Sequence, residues 1–277
     1  MMSLYADLHL HTNFSDGSDA PAVVVARAAE LGFSALAITD HDTVSGLAEG
    51  GAAASEHGIE FLCGTEISAI FARREVHVIS LGIDPENVPL VEALRNLREE
   101  RVARADAIIL RLNALGVAVE GAQVRARAGR GAVGRLHIAR ELHAQGVTKT
   151  VQRAFDKYIG EGRQAFVPKV CLPCREAVDL IHGAGGLAFV AHPGVGGNVH
   201  RKLPDLLKLP FDGIEVYHTR HTPGQVTRFR KLADEQGLLI SGGSDCHGGG
   251  DAGPLDIGKV RVPYVQVERI LGALGRH

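Results

Sequence analysis

Histidine and carboxylate side chains recur along this chain at spacings that suit a metal centre. His9 and His11 are separated by one residue, and Asp16 follows five residues after His11. Alternate residues of a strand point to the same side, so His9 and His11 can bind one ion, and imidazole and carboxylate ligands suit Zn²⁺, Mn²⁺ and Fe²⁺. The candidate ligands are His9, His11, Asp16, Asp40, His41, Glu66, His77, His192, Asp245 and His247. The pattern predicts a metal centre to which most of the chain contributes.

The positions of the later ligands strengthen this interpretation. A lone His-x-His pair is common by chance and is more often a surface or core pair than a metal site. Here the other candidates follow short apolar runs, such as 35–38, 186–190 and 238–240. Such runs predict buried strands, and barrel enzymes carry their catalytic side chains at the carboxyl ends of strands. Because a catalytic zinc usually has three protein ligands, this many candidates predicts two or three ions.

The order of the predicted elements indicates the fold. Strand-like and helix-like segments alternate up to about residue 84 and again from about residue 166, which predicts a parallel α/β architecture and favours a barrel. Between them, apolar residues recur at helical spacing, most clearly from 91 to 115. The expected organisation is a first barrel part at 1–84, a mainly helical insertion that caps the substrate site at 85–165, and a second barrel part at 166–277.

Composition narrows the class of protein. With 277 residues, 45% hydrophobic content and a formal net charge of −2, the chain can bury a full core. The near-zero charge disfavours non-specific nucleic-acid binding and favours a small partner. No apolar stretch approaches the length of a membrane span, and the N-terminus has no basic and apolar leader. We therefore expect a cytoplasmic protein with no membrane contact and no obligate protein partner; the pattern gives no indication of oligomeric state.

The cysteines offer a weaker metal motif. Cys171 and Cys174 have the spacing of a zinc knuckle, but no second pair accompanies them, and the segment 173–176 is typical of a helix start. Without a secretory signal, disulfides are not expected either. A helix start is therefore favoured over a second metal site.

The candidate ligands resemble the motifs of the PHP (polymerase and histidinol phosphatase) family of metallophosphoesterases. The four matching motifs are His9, His11 and Asp16; His41; Glu66 with His77; and His192 with Asp245 and His247. The resemblance covers nearly the whole chain and implies a distorted (β/α)7 TIM-like barrel with its metals at the carboxyl ends of the strands. Within the family, the chain is most similar to bacterial phosphoesterases that remove the 3′-phosphate of nucleoside 3′,5′-bisphosphates and to relatives that shorten RNA from its 5′ end.

The resemblance also implies how the ligands are shared among the ions. It assigns His9, His11, Glu66 and Asp245 to a first ion, Glu66, His77 and His192 to a second, and Asp16, His41 and His247 to a third. Glu66 would bridge two ions, and ions about 3.5–4 Å apart can share a hydroxide and clamp a phosphoryl group. Glu66, Asp245 and His192 are the expected catalytic residues, and Mn²⁺ is favoured over Zn²⁺ and Fe²⁺. Asp40 is expected to orient an imidazole rather than bind an ion.

Residues outside the ligand set are expected to select the substrate. Arg135, His137 and Arg140 lie close together at a predicted helix start, where guanidinium groups and backbone amides suit phosphate oxygens. The alternative is a helix start with solvated arginines. His218 and His221 follow a predicted strand, in a loop that either meets the substrate or is simply polar.

Two charged segments near these residues are interpreted as solvated. The run 95–104 mixes arginine with glutamate, which favours a solvated helix face over a face that binds nucleic acid. Lys169 follows an apolar segment; it either reaches the mouth of the site or extends into solvent, and the second is favoured.

The sequence thus predicts a metal-dependent phosphoric monoester hydrolase. The leading hypothesis is removal of the 3′-phosphate from nucleoside 3′,5′-bisphosphates, and a 5′→3′ exonuclease on short RNA is the alternative. Histidinol phosphate phosphatase ranks third, because nothing in the sequence pairs recognisably with an imidazole substrate. A non-catalytic PHP scaffold would have lost ligands, whereas every expected position is filled. An amidohydrolase site would commonly carry a lysine between its metals, where this chain has Glu66.

Overall fold

The computed structural model describes residues 4–131, 133–195, 199–249 and 255–275. The strands are β1 (Tyr5–Leu10), β2 (Ala35–Ile38), β3 (Glu60–Phe71), β4 (Arg74–Leu81), β5 (Leu172–Pro173), β6 (Leu187–Val190), β7 (Gly213–His218), β8 (Leu239–Gly243) and β9 (Val262–Pro263). The helices are α1 (Pro21–Glu30), α2 (Leu47–His57), α3 (Val88–Ala114), α4 (Gly121–Ala128), α5 (Arg135–Ala144), α6 (Val151–Ala154), α7 (Cys174–Gly183), α8 (Val199–Leu206), α9 (Pro223–Gln236) and α10 (Tyr264–Ala273). A π-helical turn at Phe155–Ile159 continues α6.

Seven of the strands form a curved sheet that nearly closes on itself. Their order is β8-β7-β6-β4-β3-β2-β1, with the short β9 beside β1 and the short β5 beside β3. The two ends of the sheet meet through backbone hydrogen bonds: His11 N–H donates to the Cys246 carbonyl at 3.0 Å, and Asp245 N–H donates to the His9 carbonyl at 2.9 Å. The predicted α/β class and distorted TIM-like barrel are confirmed.

One strand departs from the parallel order that the sequence predicted. β4 pairs antiparallel with β3, with Ser68 opposite His77, and it also runs antiparallel to β6. The connection between β3 and β4 is a turn of two residues, Ala72 and Arg73, with φ of 47° and 63°. Left-handed turns of this length match the twist of hairpin strands and leave no room for a crossover helix. The distortion of the barrel therefore arises from a hairpin.

Long helix α3 connects the barrel to a separate helical unit. Leu90 and Leu94, in its first half, belong to the main apolar core between the sheet and its helices. Ile108 and Leu112, in its second half, pack with Ile138 of α5 in a distinct buried cluster formed by residues 105–165. Because one continuous helix contributes to both cores, the helical unit is held against the barrel.

Two further findings concern membrane spans and the cysteine pair. None of the described helices is long and apolar enough to cross a membrane. Helix α7 begins at Cys174, as the segment 173–176 predicted. Among the described residues, neither Cys171 nor Cys174 belongs to a group of side chains placed to hold a metal ion.

Candidate metal centre

The candidate ligands meet at the carboxyl ends of the barrel strands. His41, His192 and Asp245 follow β2, β6 and β8 within three residues of each strand end. His192 and Asp245 have positive φ angles, of 25° and 55°. Non-glycine residues keep such strained backbone where the surroundings fix it, and it is common at functional sites. Here the strained residues carry two of the predicted catalytic side chains into the centre.

The first predicted ligand set converges on one point. His9 Nε2 and His11 Nε2 lie 3.1 Å apart. Glu66 Oε2 is 3.3 Å from the former and 3.2 Å from the latter, and Asp245 Oδ1 is 3.4 Å and 3.2 Å from the same two atoms. Two nitrogens and two oxygens therefore surround a common position, which suits one divalent cation.

Hydrogen bonds on the far side of two rings fix which nitrogen faces the centre. Buried Glu215 Oε1 lies 2.8 Å from His9 Nδ1, and His247 Nδ1 lies 2.9 Å from the Asp245 carbonyl. Both oxygens are acceptors here, so each Nδ1 carries the proton and donates it. The Nε2 lone pairs of His9 and His247 are consequently available to a metal.

The second predicted set shares one oxygen of Glu66. Glu66 Oε1 is 2.8 Å from both His77 Nδ1 and His192 Nε2. Since the other oxygen of Glu66 belongs to the first set, this carboxylate lies between the two groups. The geometry is the one that a bridging carboxylate requires.

The third predicted set is looser. Asp16 Oδ1 is 3.2 Å from His247 Nε2, and Asp16 Oδ2 is 4.0 Å from His41 Nε2. His41 also approaches the second set, with its Nδ1 3.1 Å from Glu66 Oε2. His41 therefore lies between two groups of ligands, and a neutral imidazole can give its one lone pair to either.

Opposing charges keep the central carboxylates ionised. Burial alone would raise the pKa of Glu66, but the adjacent histidines, His41 and His77 foremost, hold it well below its usual value. Burial would likewise raise the pKa of Asp245, and His9 is the main group that holds it well below its usual value. Both side chains are thus in the form that binds metal ions.

The donor set as a whole fits divalent cations. Three overlapping groups of ligand atoms each lie within 4.8 Å of one another: His9, His11, Glu66 and Asp245; His41, Glu66 and His77; His11, Asp16, His41 and His247. The buried Nδ1 of His41 makes no hydrogen bond despite its approach to Glu66. Such an atom is satisfied by an ion, and mixed nitrogen and oxygen sites accept Mn²⁺, Fe²⁺ and Zn²⁺.

Asp40 supports the site through the loop that carries Asp16. Its carboxylate accepts hydrogen bonds from Thr12 N–H at 2.7 Å, from the Thr12 hydroxyl at 2.6 Å and from the Ser15 hydroxyl at 2.5 Å. With these three donors, both of its oxygens are engaged. The sequence predicted that Asp40 orients an imidazole; the structure places its carboxylate against the turn between His11 and Asp16, and Ser15 Oγ, which donates to it, lies 3.5 Å from His11 Nδ1.

A cationic cavity of about 200 Å³ adjoins the metal centre. Asp16, His41 and His77 line it on the side of the predicted ligands. The other lining residues include a group of positive and imidazole side chains from the helical unit and the segment after it. They are Arg101, Arg104, Arg135, His137 and Lys169. The cavity thus offers anion-binding groups beside a site suited to phosphoryl chemistry.

Two cavity residues were expected in solvent, and that expectation is wrong. Arg101, within the run 95–104, donates from Nε to Asp42 Oδ2 at 2.7 Å and from Nη2 to Ser68 Oγ at 2.8 Å. Lys169 is only 9% exposed and lies with its Nζ 2.5 Å from Glu75 Oε1. In both cases a carboxylate from the barrel provides the counter-charge that permits burial.

Two of the three predicted substrate residues on α5 line the cavity, and the third does not. Arg135 and His137, at the start of α5, line the cavity. Arg140 is half-buried on the same helix and is not among the described residues that line it. The expected phosphate contact is therefore retained for Arg135 and His137 alone.

The two histidines after β7 are buried rather than presented to a substrate. The side chain of His218 is fully buried, and its Nε2 lies 3.2 Å from Asp245 Oδ2. Both ring nitrogens of His221 form hydrogen bonds with backbone groups: Nδ1 lies 2.9 Å from the Val216 carbonyl, and Nε2 accepts from Gly194 N–H. The expected substrate contact is thus replaced by a structural role for His221 and by support of Asp245 for His218.

Comparison with known proteins agrees with this geometry. A family model described as the PHP domain matches residues 7–120. The chain is 39% identical to a 3′,5′-nucleoside bisphosphate phosphatase of Chromobacterium violaceum, over 91% of this chain and 90% of that protein. It is 36% identical to a 5′-3′ exoribonuclease of Escherichia coli, over 87% of this chain and 84% of that protein.

A solved structure extends the likeness to the whole fold. A candidate metal-dependent phosphoesterase from Bifidobacterium adolescentis superimposes with a TM-score of 0.87 and 31% identity, over 98% of this chain and 96% of that chain. The barrel, the clustered ligands and these similarities lead to one conclusion: the chain belongs to the PHP family and is a hydrolase of the phosphoesterase class.

Proposed function

We propose that the protein removes the 3′-phosphate from nucleoside 3′,5′-bisphosphates. The observation that carries the proposal is the contact between the metal centre and the cationic cavity, which share Asp16, His41 and His77 as lining. A substrate with two phosphates can place one at the centre and the other against the arginines. The C. violaceum relative, named for this activity, supports the same choice.

The cavity wall suits the rest of a nucleotide. Arg135 has its guanidinium carbon 5.9 Å from the ring centroids of Phe155 and Phe166, and Phe155 also lines the cavity. A guanidinium held against aromatic faces keeps its N–H edges available for phosphate oxygens. We assign Arg135 to the second phosphate and the helical segment 85–165 to a cap over the substrate.

We propose the following sharing of ligands among the ions. His9, His11, Glu66 and Asp245 would hold the first ion, Glu66, His77 and His192 the second, and Asp16, His41 and His247 the third. When bound, divalent ions supply an activated water and positive charge for the phosphoryl group. The chain's own part is to orient the His9 imidazole through Glu215 and to hold the second phosphate at Arg135.

The direct test is phosphate release from a panel of substrates by the Mn²⁺-loaded protein. The panel is 3′,5′-bisphosphoadenosine, AMP, histidinol phosphate and a 5′-phosphorylated RNA oligomer. We expect the bisphosphate to be turned over with the highest kcat/KM. A preference for AMP or histidinol phosphate, or no turnover of any of the four compounds, contradicts the proposed substrate.

A second candidate activity, on short RNA, is favoured by a neighbouring groove. The groove has a volume of about 870 Å³ and is lined by Arg73 and Arg74 of the β3–β4 hairpin. It shares Arg104, Arg135 and Lys169 with the cationic cavity. A chain of nucleotides could continue along such a positive path. Release of mononucleotides from the RNA oligomer would identify this activity.

Removal of the ions should cost both activity and stability. We expect chelator-treated protein to lose turnover and Mn²⁺ to restore it better than Zn²⁺ or Fe²⁺. At a metal concentration 100-fold above Kd, each site contributes about 2.7 kcal/mol to folding, which is roughly 5–10 °C in Tm for a chain of this size. Parallel assays and thermal melts test this. Full activity after chelation, with no bound metal, would rule out a metal-dependent reaction.

Replacement of Arg135 tests the second phosphate site. Arg135→Ala should lower kcat/KM on the bisphosphate by about 10–100-fold, since charge-assisted contacts contribute about 1.5–3 kcal/mol, and should affect p-nitrophenyl phosphate much less. Arg153→Ala, at a 70% exposed arginine of α6, is the matched control. Equal losses on the two substrates would contradict the assignment.

A further inference from the structure

The departing oxygen of a phosphate monoester leaves more readily when it receives a proton, and the cationic cavity contains groups that carry protons. A sugar alcohol is a poor leaving group as an alkoxide, so a positioned acid speeds cleavage of its phosphate ester. The hydroxide and the leaving oxygen lie in line on opposite sides of phosphorus. If the hydroxide attacks from the side of the predicted ligands, the leaving oxygen would face the cavity.

Most of the cavity's polar groups cannot serve as this acid. Arg101, Arg104 and Arg135 do not release a proton in proteins. His137 accepts a hydrogen bond at Nδ1 from Gly134 N–H, and burial lowers its pKa to about 4, so it is neutral near pH 7. Its remaining N–H is then a hydrogen-bond donor rather than an acid.

Lys169 is the one remaining ammonium among the described residues that line the cavity. Its Nζ is fixed 2.5 Å from Glu75 Oε1, and the same oxygen is 3.2 Å from His77 Nε2. The same carboxylate oxygen thus contacts the lysine and the edge of the His77 ring that faces away from Glu66. Since Lys169 and His77 both line the cavity, Nζ borders the space that the leaving group would enter. Burial, with a smaller effect of nearby Arg101, lowers the pKa of Lys169, and this makes the ammonium a better acid.

We propose that Lys169 is the general acid that protonates the leaving oxygen, held in place by Glu75. The oxygen of hydroxide forms a new bond to phosphorus, the bond from phosphorus to the 3′ oxygen breaks, and that oxygen takes a proton from Nζ. The proton that water loses on forming hydroxide restores the ammonium. Water and ester are thereby converted to alcohol and inorganic phosphate.

The dependence of rate on the leaving group tests this role. The inference rests on the proposed phosphomonoesterase activity but not on the bisphosphate substrate, so the test uses a series of substituted phenyl phosphates whose phenols differ in pKa. For Lys169→Met we expect a loss of about 100-fold or more on phenyl phosphate and only a few-fold on 2,4-dinitrophenyl phosphate, whose leaving group needs no proton. The plot of log kcat/KM against leaving-group pKa should become steeper than in the wild type.

Two variants and two further measurements separate this role from a structural one. Lys169→Arg retains the charge beside Glu75 but cannot release a proton, and it should show the same steep plot even if Lys169→Met folds poorly. Lys231→Met, at a 75% exposed lysine, is the control with wild-type slope. Small primary amines should partly restore Lys169→Met on phenyl phosphate, while its bound metal and affinity for inorganic phosphate stay as in the wild type.

The contrary outcomes are equally specific. An unchanged slope in both Lys169 variants, with equal losses along the series, would overturn the assignment. So would lost metal with no rescue by amines. Failure of the wild type on 3′,5′-bisphosphoadenosine would instead refute the proposed substrate and leave the test of Lys169 intact.

Discussion

Glu66→Ala is expected to abolish turnover and to lower the amount of bound metal. Glu66 offers one oxygen to His9 and His11 and the other to His77 and His192, so its carboxylate faces ligand nitrogens of both of the first two sets. Its removal leaves buried imidazoles without their shared counter-charge. The loss should exceed the roughly 10²–10³-fold that removal of a single stabilising donor costs an enzyme.

The measurement pairs activity with metal content by mass spectrometry of the metal-loaded protein. Glu66→Gln keeps the shape of the side chain but removes its charge, and it should also lose metal. Glu60→Ala, at the exposed start of the same strand, controls for changes in β3. Near-normal rates in Glu66→Ala would contradict the bridging assignment.

Glu215→Gln should weaken metal binding by about 10–100-fold, as is typical when a carboxylate behind a metal-bound histidine is replaced. Glu215 is fully buried; its Oε1 accepts from His9 Nδ1 at 2.8 Å and its Oε2 from His192 N–H at 2.6 Å. A glutamine can satisfy only one of these donors, because its amide nitrogen would face the other. Both His9 and the strained backbone of His192 would lose support.

A Mn²⁺ titration monitored by activity shows whether Glu215 acts by positioning the metal ligands or takes part in the reaction itself. The half-saturating Mn²⁺ concentration should rise for Glu215→Gln, while kcat at saturating Mn²⁺ recovers most of the wild-type value. Glu235→Gln, at a 59% exposed residue, is the matched control. Unchanged metal affinity in Glu215→Gln would show that His9 needs no partner.

Patterns within single elements predicted much of the site. The alternation in 5–11 predicted that His9 and His11 share one side of a strand, and the structure places their Nε2 atoms 3.1 Å apart. Apolar runs predicted where the strands end and thus where His41, His192 and Asp245 emerge. These inferences need only local periodicity, which a sequence displays directly.

Residues that act through distant partners were not predicted. Glu215 meets His9 across 206 positions, and Lys169 meets Glu75 across 94. A single acid in a strand pattern, or a single lysine in a loop, has no periodicity that would reveal such a partner. The prediction of a solvated Arg101 was wrong for the same reason, since helical spacing cannot show that Asp42 lies beside it. The direction of β4 was missed because strand patterns are the same in parallel and antiparallel pairs.

The β3–β4 hairpin makes the geometry of the second ligand pair a local property of the chain. Glu66 and His77 lie on adjacent strands of one hairpin, in a register set by the two-residue turn at Ala72 and Arg73. The segment 85–165 begins only after this hairpin is complete. Its length and composition can therefore diverge among descendants of this chain without altering the distance between those two ligands, so new substrates can evolve over an unchanged reactive centre.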